Sequence, residues 1–156
     1  MKFTGKIEVP APREAVFKKL RDVRFFASCV DGVEDLVELD DRHYTATLET
    51  RVAYIKFRFA VAVEIVTLDE PARVVAKVEG TPLGMVGRLT ATSAADLVEQ
   101  GGATVVTYDL DVALAGKLGS LGQPVLKSKA KEMERQFASR IRASFQGEGE
   151  GTHDTI

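Results

Sequence analysis

The sequence predicts an α+β fold: a curved antiparallel sheet of six to seven strands wrapped around one long C-terminal helix, with two short helices after the first strand. Three observations carry this. From Lys117 to Phe145, the residues Leu126, Ala130, Met133, Phe137, Ile141 and Ser144 recur at the three- and four-residue spacing of one helix face, over a length that crosses a small domain. Almost everything before Lys117 alternates apolar and polar residues, the period of half-buried strands. The strands are joined by short turns, which suit antiparallel neighbours, whereas parallel strands need long crossovers. A lone amphipathic helix cannot bury its stripe, so the sheet is expected to cover it.

Each element follows from its own pattern. Phe3, Gly5, Ile7 and Val9 alternate with Lys2, Thr4, Lys6 and Glu8 in a first strand that ends at Pro10 and Pro12. Proline is tolerated in the first turn of a helix, and Val16, Phe17 and Leu20 then form a short apolar stripe. Val23, Phe25, Phe26 and Ala27 suggest a second short helix, closed by the Asp31-Gly32 turn signal. Val33 to Leu39 is an imperfect strand. Tyr44, Ala46, Leu48, Thr50 and Val52 form the inner face of the next, and the connection at Ala53-Tyr54 leads into the strongest strand, with Ile55, Phe57, Phe59, Val61, Val63 and Ile65 inward. After Asp69-Glu70-Pro71 the inward sets are Val74, Ala76, Val78 and Gly80, then Leu89, Ala91, Ser93, Ala95 and Leu97, then Val106, Tyr108, Leu110, Val112 and Leu114. The helix is expected to begin between Leu118 and Val125, because Pro124 disturbs its start, and to end near Phe145.

Composition bounds the function. The chain has 156 residues, 45% hydrophobic and 28% charged, which suits a single domain over residues 1–146 followed by a polar Gly/Glu tail, 147–156, expected to be mobile. Net charge is −2, but residues 117–145 hold seven Lys or Arg against two Glu, leaving about −7 for the rest. That distribution argues against nucleic-acid binding and allows at most peripheral contact with an anionic surface. No apolar run approaches a membrane span and the N-terminus lacks a signal-peptide layout, so a cytoplasmic protein is expected, with peripheral attachment at the inner face of the membrane left open. Cys29 is the only cysteine, which excludes an internal disulfide and fits a reducing compartment.

Candidate chemistry is sparse. A Ser-His-Asp arrangement needs a buried, oriented histidine, but His43 lies on the predicted outer face and His153 in the tail. One cysteine with no HxxxH or CxxC spacing supplies no zinc site. Cys29, close to Phe25 and Phe26, reads as a small buried hydrophobe, and Asp31, Glu34 and Asp35 read as solvated turn carboxylates. Gly80, Gly84 and Gly87 lack the spacing of a phosphate loop. No catalytic or metal-binding constellation emerges. What stands out is the inner face, where large apolar groups share space with Gly5, Ala46, Ala76, Gly80, Ala91, Ser93 and Ala95. Close-packed cores leave few voids, so this many small residues opposite one helix leave room for an apolar cavity, with Tyr44, Ser93 and Tyr108 as polar anchors, a reading that the family resemblance given below favours. The expected lining is Leu48, Phe57, Phe59, Val61, Val78, Met85, Tyr108, Leu110, Leu126, Met133 and Phe137. The alternative is a sheet that simply packs tighter on the helix.

Particular segments carry a resemblance: Met1-Lys2-Phe3-Thr4-Gly5, the run Val9-Pro10-Ala11-Pro12-Arg13-Glu14-Ala15-Val16, and Cys29-Val30-Asp31-Gly32-Val33-Glu34-Asp35-Leu36. Gly102 to Asp111, Gly116-Lys117-Leu118-Gly119-Ser120-Leu121-Gly122, Met133 and Gln136-Phe137 add to it. In order and spacing these resemble the helix-grip superfamily of START lipid-transfer and polyketide cyclase-like proteins, and within it the carbon monoxide dehydrogenase G-subunit family. The chain departs from that family at Asp31, where proline is usual, at Val33, where a second cysteine is common, and in its polar tail, where many members continue to a membrane anchor. The resemblance implies a helix-grip fold and an accessory role beside a molybdenum-containing, carbon monoxide dehydrogenase-like oxidoreductase. A lipid or quinone is the expected occupant of the cavity, with no other cofactor. An assembly or membrane-recruitment adaptor without a ligand, and a cyclase- or isomerase-like enzyme, are the other readings. The oligomeric state is left open.

Overall fold

The computed structural model describes the backbone of residues 1–154 and the side chains of residues 1–146. Seven strands form one antiparallel sheet in the order β1-β7-β6-β5-β4-β3-β2. They are β1 (Lys2–Val9), β2 (Val33–Glu38), β3 (His43–Val52), β4 (Ile55–Asp69), β5 (Arg73–Pro82), β6 (Gly87–Gln100) and β7 (Ala103–Gly116). The strands from β2 to β7 run as a meander of hairpins. The first strand instead returns to pair with the last, Gly5 opposite Tyr108 and Val9 opposite Thr104. Two short helices, α1 (Arg13–Arg21) and α2 (Val23–Ser28), carry the chain from one margin of the sheet to the other.

Local chemistry accounts for these boundaries. Pro12 precedes α1, where its missing N–H costs nothing. Asp22 caps α2, its side chain accepting from the backbone N–H of Arg24 and Phe25. Gly32 turns the chain at φ +84, and its carbonyl accepts from the N–H of Glu49; a Cβ at this position would strike the Glu49 carbonyl. A bulge between Glu34 and Val37, with Asp35 at φ 55, explains why β2 alternates imperfectly. A second bulge between Ile65 and Thr67 reverses the facing of β4, so Leu68 rather than Thr67 turns toward the core. Ile55, expected inward, lies at the hairpin tip and is exposed.

The long helix is preceded by a 3₁₀ turn, Lys117–Leu121, set between Gly116 and Gly122, both at positive φ. The helix itself, α3 (Gln123–Asp154), starts inside the expected interval and continues past the expected end near Phe145. The expectation of a mobile tail over 147–156 falls outside the residues whose side chains are described. Helix α3 approaches β1 most closely and β3 more lightly, near the two margins of the sheet, so it bridges the concave face between them.

Two separate clusters fill the ends of that concavity. One joins Ile7, Val9, Val16, Phe17, Leu97, Val106, Ala138 and Ile141 beneath α1 and the middle of α3. The other joins Val52, Phe57, Phe59 and Leu118, with Leu89, Leu114, Leu121 and Val125 packed around them. Leu118 is the plug of this second cluster, and its burial explains the otherwise glycine-rich 3₁₀ turn.

Candidate ligand-binding cleft

Between the two clusters lies a band that belongs to neither. Strand register places Val63, Val78, Ala91 and Val112 side by side in one cross-strand row. The adjacent row runs Ile65, Ala76, Ser93, Leu110 and Phe3. All nine are half-buried, although they sit on the concave face in the middle of the sheet. The reason is steric. Alanine and serine occupy three of the nine positions, and α3 makes no close backbone approach to β4, β5 or β6 comparable with its approach to β1. The helix passes from Val125 in one cluster to Ala138 and Ile141 in the other, so Ala130, Met133 and Glu134 occupy the stretch between.

One polar pair stands at the edge of this band. The Tyr108 hydroxyl donates a hydrogen bond to Glu134 Oε1 across the gap between β7 and α3. Gly5, on the strand beside Tyr108, makes room for it: a Cβ there would overlap both the tyrosine ring and the carboxylate. Burial, and then the neighbouring carboxylate, push the Tyr108 phenol far above its ordinary range, so it stays protonated and remains a hydrogen-bond donor at any physiological pH.

A cleft of about 410 Å³ opens at the β3–α3 margin, lined by Val30, Asp31, Thr50, Lys129, Met133 and Gln136 among others. Its rim is charged. A neighbouring depression of about 320 Å³ lies between the β3–β4 hairpin and the first turns of α3, against Val52, Ala53, Pro124 and Val125. Met133 connects the edge cleft to the helix face that spans the band.

The eleven residues expected to line a cavity divide by place. Val78 and Leu110 lie in the band itself. Phe57 and Phe59 are buried in the second cluster, their rings stacked at 5.9 Å, with Leu48, Val61 and Met85 packed beside them. Tyr108 and Phe137 pack on the first cluster; Phe137 leans toward α2, its ring 4.8 Å from that of Phe26. Met133 lines the edge cleft, and Leu126 is half-buried in neither cluster. Periodicity did not single out Glu134, because a glutamate in a run that also holds Lys131, Glu132 and Arg135 reads as solvated. The signal was there in its spacing from Ala130, Ala138 and Ile141, which is that of one helix face.

Other candidates resolve plainly. Cys29 is buried, and burial raises its thiol pKa, which leaves it little thiolate character. His43 is on the outer face, with Nδ1 bonded to Asp40 and Nε2 3.5 Å from Glu64. Asp31 pairs with Arg140 of α3. Among the described residues there is no group of three or more His, Cys, Asp or Glu placed to hold a metal ion, and no helix is long and apolar enough to cross a membrane.

Comparison with known proteins agrees with this architecture. The profile of CoxG, the carbon monoxide dehydrogenase G-subunit family, matches residues 5–146. No curated protein matches in sequence. Among solved structures, a conserved protein from Geobacillus kaustophilus superposes with a TM-score of 0.86 at 24% identity, over 94% of this chain and 96% of that one. A START superfamily protein from Mycobacterium smegmatis gives 0.71 at 14% identity, over 94% and 97%. The di-domain ARO/CYC BexL from the BE-7585A biosynthetic pathway gives 0.57 at 19% identity, over 92% of this chain and 49% of that one. At these identities the likeness is one of fold.

Proposed function

Because this chain belongs to the carbon monoxide dehydrogenase G-subunit family, CoxG, we propose that it is a non-enzymatic accessory protein that holds an apolar small molecule between its sheet and α3. The occupant is lipid- or quinone-like, and the protein served is a carbon monoxide dehydrogenase-like molybdenum oxidoreductase in the cytoplasm or at the inner membrane face. Such an enzyme must pass electrons onward, and a lipid quinone is an apolar acceptor that needs a carrier through water.

The observation that carries this reading is the half-buried band between two packed clusters. A sheet of this size would ordinarily bury its central inward residues most deeply. Here Val63, Val78, Ala91 and Leu110 are reached by solvent, while residues toward both ends of the concave face are sealed. Apolar surface left wet in the middle of a fold is worth roughly 25 cal/mol per Å² to whatever covers it. Tyr108 and Glu134 offer the sparse polar contact that orients ligands in apolar sites.

The test is to fill the space. Ala76→Leu and Ala91→Leu are expected to leave thermal stability nearly unchanged, whereas overpacking a closed core costs about 1–3 kcal/mol. Both are expected to abolish saturable binding of a fluorescent fatty acid or short-chain quinone. Strong destabilisation with no binding by the unmodified protein would leave the ligand-free adaptor as the better reading.

A small-molecule enzyme is the second reading, and Glu134 favours it. A half-buried carboxylate at the edge of the band can accept a proton from a bound substrate, while Tyr108 orients it through a hydrogen bond. Glu134→Gln separates the two: a carrier keeps its ligand with altered affinity, whereas a cyclase or isomerase loses turnover while still binding.

A further inference from the structure

The meander has two kinds of two-residue hairpin loop. At one end, Gln100 pairs with Ala103 around Gly101-Gly102, both at positive φ. At the other, Val52 pairs with Ile55 around Ala53-Tyr54, also both at positive φ, +51 and +72. Glycine adopts this conformation freely; alanine and tyrosine do not, and asparagine-glycine is the usual solution. The Tyr54 side chain meets nothing in return, since it is 100% exposed. A strained backbone that presents a large side chain wholly to the outside indicates use outside the fold.

Tyr54 has company. Ile55 is 51% exposed, and the β5–β6 loop at the same end of the sheet presents Leu83 at 51% and Val86 at 79%. The two tips adjoin: the Leu83 N–H donates to the Arg58 carbonyl of β4, and the Lys117 N–H to the Val86 carbonyl. Segments 51–58, 83–88 and 116–129, which build this end, contain no aspartate or glutamate. Lys56 is paired with Glu49, Arg88 with Glu79 and Lys129 with Glu132. Arg51, Arg58, Lys117 and Lys127 around the tips form no direct ion pair among the described residues, with Glu49, already held by Lys56, the acidic group in the field of Arg51 and Arg58. The turns of the opposite end, 39–42, 69–72 and 99–102, carry Asp40, Asp41, Asp69, Glu70 and Glu99 against Arg42. The 320 Å³ depression between the β3–β4 hairpin and α3 opens directly beside Ala53.

We propose that this end of the sheet docks on an anionic lipid bilayer, Tyr54, Ile55, Leu83 and Val86 entering the interface and the basic collar meeting lipid phosphates. Aromatic and aliphatic tips favour the boundary between headgroup and acyl chain, and unpaired lysine and arginine favour anionic lipid. The docked pose brings the opening beside α3 to the membrane, so an apolar molecule can pass between bilayer and cleft without crossing bulk water. The surface stands independently of what the cleft holds, and can fail while the carrier reading stands.

The test uses the full chain and vesicles of phosphatidylcholine alone or mixed equally with phosphatidylglycerol. Co-flotation is expected with the mixed vesicles, weakening as salt rises. The chain has no tryptophan, so Tyr54→Trp reports the tip alone, and its emission is expected to shift to the blue with mixed vesicles. The decisive variant combines Ala53→Asn with Tyr54→Gly. Relieving the turn is expected to raise Tm while vesicle affinity falls about tenfold or more. Leu39→Asp, at an exposed apolar site of the acidic end, is expected to leave binding unchanged. Equal binding to neutral vesicles, equal loss in Leu39→Asp, or no vesicle binding overturns the proposal. So does self-association that the turn variant abolishes in the absence of lipid, which would assign the tips to a second copy of the chain. A fluorescent fatty acid bound in parallel without vesicles separates failure of this surface from failure of the cleft.

Discussion

The two ends of the concave face are closed by different means. At the end where α1 lies, Val9, Val16, Phe17, Thr104 and Ile141 are almost completely sealed, and the Thr104 hydroxyl donates to the Ala11 carbonyl across the cap. At the other end a single leucine, Leu118, plugs the sheet from a five-residue 3₁₀ turn held between two glycines, and the hairpin tips beyond it are apolar and wet. The contrast teaches where such a fold can open. Regular helices that bury a full stripe resist local rearrangement, whereas a short turn with few interactions of its own yields at low cost. Passage into the central band is therefore expected at the Leu118 end.

The comparison can be broken most directly by truncating one aliphatic side chain at each end. Ile141→Ala should cost about 4 kcal/mol in denaturant unfolding, because α3 cannot move into the void, while Leu118→Ala should cost about 2, because its turn can collapse inward. Equal losses would mean that both ends are equally rigid. Next comes the boundary between the sealed end and the band. Gly5→Ala places a methyl group where Tyr108 and Glu134 meet, and a loss of about 1–3 kcal/mol is expected, with weakened ligand binding. Retained stability would show that the pair relaxes freely and does not fix the helix over the sheet.

Phe137 sharpens the contrast at smaller scale. Half-buried at the edge of the first cluster, with its ring against Phe26, it should lose only about 1–2 kcal/mol on Phe137→Ala, below the ~3–5 of a sealed phenylalanine. The smallest expected effect is at His43, on the acidic end. Its hydrogen bond to Asp40 raises the imidazole pKa, so its contribution is present below the unfolded value of about 6.5 and is lost as pH rises through the higher folded value. Asp40 is shifted the other way, mainly by the Arg42 backbone N–H and then by His43, so its share is lost as pH falls. A slight decline of Tm between mildly acidic and mildly alkaline pH should flatten in His43→Gln. A decline that persists unchanged would assign it to another group.

Much of this was legible before any coordinates. Alternation assigned the inward sets of β1, β3 and β5–β7, because a strand with one wet face must repeat every second residue. It misplaced Ile55, which a hairpin tip exposes, and did not extend past Ile65, where a bulge interrupts the repeat without changing residue types. The three- and four-residue spacing found α3, but weighted Met133 and Phe137 over Glu134. A charged residue on a buried face can be recognised only when its partner, Tyr108, is known to lie opposite.

By itself, then, the sequence determined the order of elements, the antiparallel meander, the long closing helix and the small residues of the inner face, all properties of chain-local period and volume. Only the tertiary structure decided that three of those small residues, Ala76, Ala91 and Ser93, fall into two adjacent rows between separate clusters, that α3 bridges these rows instead of filling them, and that Tyr54 and Val86 share one basic end. These depend on strand register and on where a helix comes to rest, which bring together residues far apart in the chain. No local pattern encodes such distances.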